Sequence, residues 1–244
     1  MADEPPPAKR VKYASWKSQL SLRTANGSRY NFKATFEILT GEKPSQQTFT
    51  VHREPFTQCS KFLEAASSSR WRSGDEKPVD LTEHEPGVFA SYMQCVYFGS
   101  VAVPEIPGYS EKDSLGALIV LYLLADKLND VPTTNLVMDE IIVLSEEVLD
   151  LPCSDSVTLA YDSTVAGSPL RKLCRDYYVN QAKRVRLEKI HQGRFPFQSL
   201  QDVVLEFERL ATSDGPDDQR TYVNCVDREK CYYHQHDDEH PRCL

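Results

Sequence analysis

The sequence predicts an α+β fold, in which a few short strands are followed by packed helices. Two short segments near residues 36 and 50 alternate between apolar and polar residues, as half-buried strands do. Later segments repeat apolar residues at helical spacing, most strongly between Leu115 and Leu128. The chain has 244 residues, of which 40% are hydrophobic, so it suits one compact domain with extensions or two small domains.

Two strands joined by a polar turn are predicted to begin the fold. Phe36-Glu37-Ile38 alternates strictly, and Phe49 and Val51 share one face of the next strand. Gly41-Glu42-Lys43-Pro44 lies between the two segments and is a turn signal. Two half-buried strands connected in this way form a hairpin.

A helix and two short extended segments are predicted next. Pro55 suits the first turn of a helix that runs to about Ala66, because its missing N–H costs nothing there. Pro78-Val79-Asp80-Leu81 is predicted to be a short strand. Val101–Val103, which is followed by a proline, is predicted to be a very short strand or an extended turn.

The central helices of the predicted domain follow the short strand. Thr82 and Glu85 have the spacing of a capping box and predict the start of a helix, which is predicted to end at Gly99. The segment Leu115–Leu128 is apolar on most sides, which indicates a helix in the centre of the core. A break after it separates a further helix that ends near Leu144.

Beyond residue 144 the apolar pattern is weaker, but two more amphipathic helices are predicted, over about 170–186 and 200–210. The chain is therefore divided into four parts. These are a disordered basic segment (1–28), an α+β domain (29–144), a helical extension (145–212) and a Cys/His-rich tail (213–244).

The composition of the chain limits where the protein can be located and what it can bind. The formal net charge of −8 argues against generic attraction to nucleic acid, so direct nucleic-acid binding is not expected. No apolar run approaches the roughly 20 residues that a membrane span needs, and the amino-terminus lacks the apolar region of a secretory signal. A nuclear or cytoplasmic location is expected. Lys9, Arg10 and Lys12 are candidates for nuclear import, or else belong to a solubilising tail.

Several motifs, in order, resemble the BTB/POZ family. They are Phe49-Thr50-Val51-His52-Arg53, Phe56 with Cys59-Ser60-Lys61-Phe62-Leu63, Val79-Asp80-Leu81, Pro86-Gly87-Val88-Phe89, Tyr97-Phe98-Gly99-Ser100 and Ala125-Asp126-Lys127-Leu128. The resemblance covers about half of the chain, and the layout resembles that of the short stand-alone BTB proteins of fungi. It implies a small mixed sheet capped by a cluster of α-helices, with a C-terminal helical extension.

The resemblance implies a protein–protein interaction adaptor rather than an enzyme. His52 is then a strand-end histidine that hydrogen-bonds within the core, not a catalytic base. The full set of signature positions is Phe49, Val51, His52, Phe56, Ser60, Phe62, Tyr97 and Gly99. We searched for a P-loop, a dinucleotide-binding glycine motif, a nucleophile elbow and a zinc-protease motif and found none of them in the sequence.

Family resemblance also suggests the partners. BTB domains typically self-associate, which implies a homodimer or a hetero-oligomer, and a cullin-type ubiquitin ligase scaffold is their best-known partner. Val103 and Glu105 resemble the hydrophobic-x-Glu segment that ligase-associated members carry before the long helix. The family's Asp at the start of the first strand is absent from Asn31-Phe32-Lys33-Ala34, which argues against recruitment of a corepressor through a dimer pocket.

Cysteines and histidines are concentrated at the end of the chain. Thiolate and imidazole are the ligands that zinc prefers, and a structural site needs four. The candidate ligands are Cys225, Cys231, His234, His236, His240 and Cys243. Two interpretations stay open: a structural zinc site, or an exposed acidic tail whose Cys and His side chains do not converge. A zinc-binding tail supports an alternative function, that of a nuclear transcription or chromatin regulator.

Overall fold

The computed structural model describes residues 30–68, 77–110, 113–148, 152–181, 195–212, 225–229 and 231–237. In these ranges the fold is α+β, as the sequence predicts, with eight α-helices and one three-stranded sheet. The strands are β1 (Thr35–Thr40), β2 (Gln47–His52) and β3 (Val79–Leu81). The helices are α1 (Arg53–Cys59), α2 (Lys61–Ser67), α3 (Pro86–Phe98), α4 (Ser114–Lys127), α5 (Val131–Val148), α6 (Ser154–Ser163), α7 (Pro169–Gln181) and α8 (Phe197–Thr212). The predicted disordered segment, residues 1–28, lies outside the described residues.

The sheet has the strand order β2-β1-β3 and contains the predicted hairpin. β1 and β2 pair antiparallel, with Phe36 opposite Val51 and Ile38 opposite Phe49. β3 pairs parallel with β1, and Val79 lies opposite Ile38. The side chains of Phe36, Ile38 and Val51 are buried, so one face of the sheet belongs to the core. The alternation of apolar and polar residues in the sequence arises because successive side chains of a strand point to opposite faces.

The prediction of one helix from Pro55 to about Ala66 is wrong, because Ser60 divides it into α1 and α2. Ser60 has extended backbone angles (φ −115°, ψ 113°) and is completely buried. Its hydroxyl accepts a hydrogen bond from the N–H of Leu63 (3.0 Å) and donates one to the carbonyl of Leu128 (2.6 Å). The side chain therefore caps α2 and ties it to the end of α4.

Thr82 does not cap α3 as its spacing to Glu85 predicts, whereas the predicted end of the helix is confirmed. The backbone N–H and the hydroxyl of Thr82 bind the carboxylate of Asp80 (3.0 and 2.7 Å) instead of capping a helix. The helix begins at Pro86, where proline needs no hydrogen-bond partner for its nitrogen. Gly99 ends the helix in the left-handed region (φ 60°), and its N–H donates to the carbonyl of Cys95.

Helix α4 lies in the centre of the core, as predicted, and its turn into α5 is fixed by Asp130. The carboxylate of Asp130 accepts hydrogen bonds from the N–H of Thr133 (2.9 Å) and from the hydroxyl of Tyr92 (2.8 Å), and all three residues are completely buried. Residues 100–106, which include the other predicted strand, pair with no strand of the sheet and form an irregular connection.

The hydrophobic core is continuous from the sheet to the tail. It includes Phe36 in β1, Leu118 in α4, Val157 in α6, Leu173 in α7 and Tyr233 in the tail. Helices that follow residue 144 therefore pack against the same core as those that precede it. None of the helices in the described ranges combines the length and the hydropathy that crossing a bilayer requires.

Candidate metal-binding site and candidate interaction residues

The tail is anchored to α7 by two adjacent tyrosines. The hydroxyl of Tyr233, which is buried, donates to the carboxylate of Asp176 (2.9 Å). The ammonium group of Lys172 donates to the carbonyl of Tyr232 (2.9 Å) and lies 3.2 Å from the centroid of its ring. Burial and charge together hold this part of the tail in one place.

Three of the predicted metal ligands converge immediately beside this anchor. The candidate ligand atoms of Cys231, His234 and His236 all lie within 4.8 Å of one another. Residues 231–233 form a turn, and the N–H of His234 donates to the carbonyl of Cys231, which brings these two residues together. The ring centroids of His234 and His236 are 6.0 Å apart.

An aspartate on α5 orients one of the histidines. Nε2 of His234 lies 2.8 Å from Oδ1 of Asp139, and the two side chains are only 4% and 7% exposed. Because an ionised carboxylate only accepts hydrogen bonds, Nε2 is the donor in this pair. Carboxylate–histidine pairs of this kind fix the tautomer and the ring orientation of metal-binding histidines.

The third member of the group, His236, has ring nitrogens that need a partner. Both nitrogens are buried, and neither makes a hydrogen bond to any of the described residues. Buried polar atoms are nearly always paired in proteins, so this arrangement requires an explanation. A metal ion bound between Cys231, His234 and His236 would satisfy one of the two nitrogens of His236.

The remaining predicted ligands are not part of this group. Cys225 is buried elsewhere, where its sulfur lies 3.4 Å from the hydroxyl oxygen of Tyr233 and 3.7 Å from the amide nitrogen of Asn180. Burial raises the pKa of the Cys225 thiol to about 11, which suits a protonated core thiol rather than a thiolate ligand. His240 and Cys243 lie outside the described residues.

The donor set determines which metal fits. One thiolate and two imidazoles match the preference of zinc, whereas calcium and magnesium prefer oxygen ligands. Three protein ligands leave one position of a tetrahedron for a fourth ligand. Sequence reasoning missed Asp139, since nothing in the pattern of α5 distinguishes this carboxylate from those of a solvated helix face.

The side chains at the positions that resemble the BTB/POZ signature make contacts within the fold. The backbone N–H of His52 donates to the hydroxyl of Tyr97 (3.1 Å), and its Nδ1 lies 2.9 Å from the same oxygen. The ring of Phe56 packs against the rings of Tyr92 and Tyr97. Among the other signature positions, Val51 is buried, Phe49 is half-buried against Phe89, and Phe62 is partly exposed.

The candidate partner-binding residues lie on the surface between α3 and α4. Val103 is 43% exposed and Glu105 is exposed, while Pro104 between them is buried. The connection approaches the start of α3 closely: a Cβ on Gly87 would lie 1.9 Å from the carbonyl oxygen of Glu105. The close approach holds this exposed pair on an ordered backbone. The import candidates Lys9, Arg10 and Lys12 lie outside the described residues.

No protein-family model matches the chain, and no curated protein matches it either.

Proposed function

We propose that this protein is a non-enzymatic BTB/POZ adaptor that binds other proteins. The observation that carries the proposal is the element order: a hairpin, two short helices, a third strand parallel to β1, and then α3 to α5. This order agrees with the small mixed sheet capped by helices that the sequence resemblance implies. Adaptors of this type act through surfaces, so function depends on exposed side chains rather than on a reacting centre.

The contacts of the signature residues support a non-catalytic interpretation. His52 is engaged by the hydroxyl of Tyr97, and the hydroxyl of Ser60 is committed both to the cap of α2 and to the carbonyl of Leu128. Both side chains therefore hold elements together. A catalytic base and a nucleophile would instead need to reach each other and a substrate.

Self-association and ligase recruitment are the proposed modes of binding. Large apolar side chains such as Phe98, at 71% exposure, and Phe32, at 41%, are available for a homodimer or hetero-oligomer contact. Val103 and Glu105 are available to a cullin-type scaffold. We propose a nuclear or cytoplasmic location, or both, for this adaptor.

Affinity purification of the tagged full-length chain, followed by mass spectrometry, tests the proposal. The chain should not be truncated at Leu144, because this cut falls inside α5 and divides the core. If the proposal is correct, the Glu105→Arg variant loses a cullin that the parent protein recovers, and the matched surface variant Glu147→Arg retains it. Recovery of no cullin with any of these proteins would exclude ligase recruitment. A strict monomer in light scattering at high concentration would exclude self-association.

We further propose that the Cys231, His234 and His236 group holds a structural zinc ion. When bound, zinc supplies folding energy by cross-linking these side chains. Elemental analysis of purified protein should give close to one zinc per chain, and the double variant Cys231→Ser, His236→Ala should lose it. The exposed residue Cys153 provides the control, because Cys153→Ser should leave the zinc content unchanged. Metal-free protein with an unchanged tail would contradict the proposal.

The metal group also supports a second candidate function, that of a nuclear transcription or chromatin regulator with a zinc-binding tail. The net charge of −8 opposes direct contact with nucleic acid, so this role would act through protein partners. DNA affinity measured against salt concentration tests the point, because phosphate contacts give a steep dependence.

A further inference from the structure

We infer that the metal ion fastens residues 231–237 across α4 and α5, and that loss of the metal releases this segment and uncovers the surface beneath it. The inference rests on the proposed zinc site and adds a regulatory consequence to it. We call residues 231–237 the strap.

Helix α5 holds the backbone of the strap through Asn135. The side-chain amide of Asn135 donates to the carbonyl of Gln235 (2.9 Å), and its oxygen accepts the N–H of the same residue (2.8 Å). This pair of bonds recognises an extended backbone without regard to the side chain that it carries. The three candidate metal ligands take no part in these two bonds. His234 and His236 flank Gln235, and Cys231 lies four residues before it.

The side chain of Gln235 is recognised by α4. Its amide nitrogen donates to Oδ1 of Asp126 (2.9 Å) and to the hydroxyl of Tyr122 (3.3 Å). The strap then ends at α2, where the carboxylate of Asp237 lies 3.3 Å from the ammonium group of Lys61. The strap therefore crosses from the α7 anchor over α5 and α4 to α2.

The metal and the docked position of the strap are coupled through His234. The ring of His234 bonds to Asp139 on α5 through Nε2, and the same residue belongs to the group that would hold the metal. Coordination of a cation by this ring makes its N–H a stronger donor, so the bond to Asp139 is strengthened when the site is loaded. The ring of His234 therefore links metal binding to the contact between the strap and α5.

The second coupling comes from His236. Its two ring nitrogens are buried without a hydrogen-bond partner among the described residues, which is unfavourable unless a ligand satisfies one of them. In the absence of metal this penalty favours movement of His236 into water. In the metal-free strap the hydrogen bond between His234 and Asp139 is weaker, and burial of the His236 ring is no longer compensated by coordination.

The surface that release would uncover is polar and specific. It presents the amide of Asn135, the carboxylates of Asp126 and Asp139 and the hydroxyl of Tyr122. These groups are arranged to bind an extended segment that carries a glutamine. The chain's own strap is the occupant, and the metal determines how firmly it is held.

Hydrogen exchange of the full-length chain, with zinc and after chelation, tests the inference. The amide of Gln235, which Asn135 protects, should exchange at least tenfold faster in zinc-free protein. The amide of Leu63, which Ser60 protects inside the core, should exchange at the same rate in both forms. In the His236→Ala variant, exchange at Gln235 should no longer respond to zinc.

The outcomes separate this inference from the proposal on which it rests. If zinc binds stoichiometrically but exchange at Gln235 is the same with and without it, the fastening role is overturned and the zinc site stands. If chelation also exposes Leu63, the metal supports the whole fold and a local release is excluded. If no zinc binds, the zinc proposal itself fails.

Discussion

His234 and Asp139 form a buried pair that joins the tail to α5 across 95 residues of sequence, with Nε2 of the imidazole 2.8 Å from Oδ1 of the carboxylate. The pair lies beside Cys231 and His236, with which His234 forms the candidate metal-binding group. Asp139 thus has the position of an outer partner that orients a metal ligand.

Replacement of Asp139 by asparagine should weaken zinc binding by about 10- to 100-fold, since the ring of His234 loses the carboxylate that fixes its tautomer. Competition with a chromophoric chelator measures the affinity. Asp162→Asn, an exposed change on α6, should leave the zinc affinity unchanged. Equal affinities for the two variants would show that Asp139 does not orient the site.

Replacement of Ser60 by alanine should lower the free energy of unfolding by about 2 kcal/mol, because α2 loses its cap and the carbonyl of Leu128 loses a buried donor. Urea denaturation followed by circular dichroism measures the change. Ser68→Ala, at the other end of α2, should change the stability by no more than about 0.5 kcal/mol. Similar losses for both variants would contradict the role assigned to Ser60.

Replacement of Gly87 by alanine should destabilise the fold by roughly 3 kcal/mol, because the added Cβ would meet the carbonyl oxygen of Glu105 at 1.9 Å and backbone must move. Gly108→Ala provides the comparison. Gly108 has a positive φ (+86°) but open space around it, so its replacement should cost only the conformational strain, about 1 kcal/mol. Thermal unfolding distinguishes the two, and a smaller loss for Gly87→Ala would be inconsistent with the close approach.

Glu206 should contribute stability that depends on pH. Burial opposes its charge, but hydrogen bonds from Arg209 and the charge of Arg175 outweigh it and lower the pKa of Glu206. A lowered folded-state pKa stabilises the fold above the unfolded pKa, about 4.3, and this contribution disappears as pH falls through the folded value.

The variant Glu206→Gln should therefore be less stable than the parent protein at pH 7 by roughly 1 kcal/mol, and the difference should vanish towards pH 3. Denaturation at a series of pH values measures it. Glu208→Gln, on the exposed side of the same helix, serves as the control. A difference that is constant with pH would mean that the charge of Glu206 is not the cause.

Local patterns predicted the hairpin, the end of α3 at Gly99 and the central position of α4, because each of these depends on neighbouring residues alone. The break at Ser60 was not predictable from the pattern, since it depends on the distant carbonyl of Leu128. Helix α6 was also not predicted. Its buried face consists mainly of Val157, Ala160 and Tyr161, too few apolar residues to give a clear repeat.

The candidate metal site was predictable in part. The close spacing of Cys231, His234 and His236 is local, so the sequence indicated it, and the structure brings the three together. Cys225 is six residues away from Cys231, and its position is decided by contacts with α7 and Tyr233. The supporting residues Asp139 and Asn135 belong to α5, and only the tertiary fold places them beside the tail.

The continuity of the core has a consequence for synthesis on the ribosome. Tyr233 belongs to the same buried cluster as Phe36 and is bound to Asp176 of α7. A nascent chain therefore keeps part of the surface of α5 and α7 uncovered until Tyr233 has been translated. This interval is when the protein depends most on chaperones and is most vulnerable to aggregation.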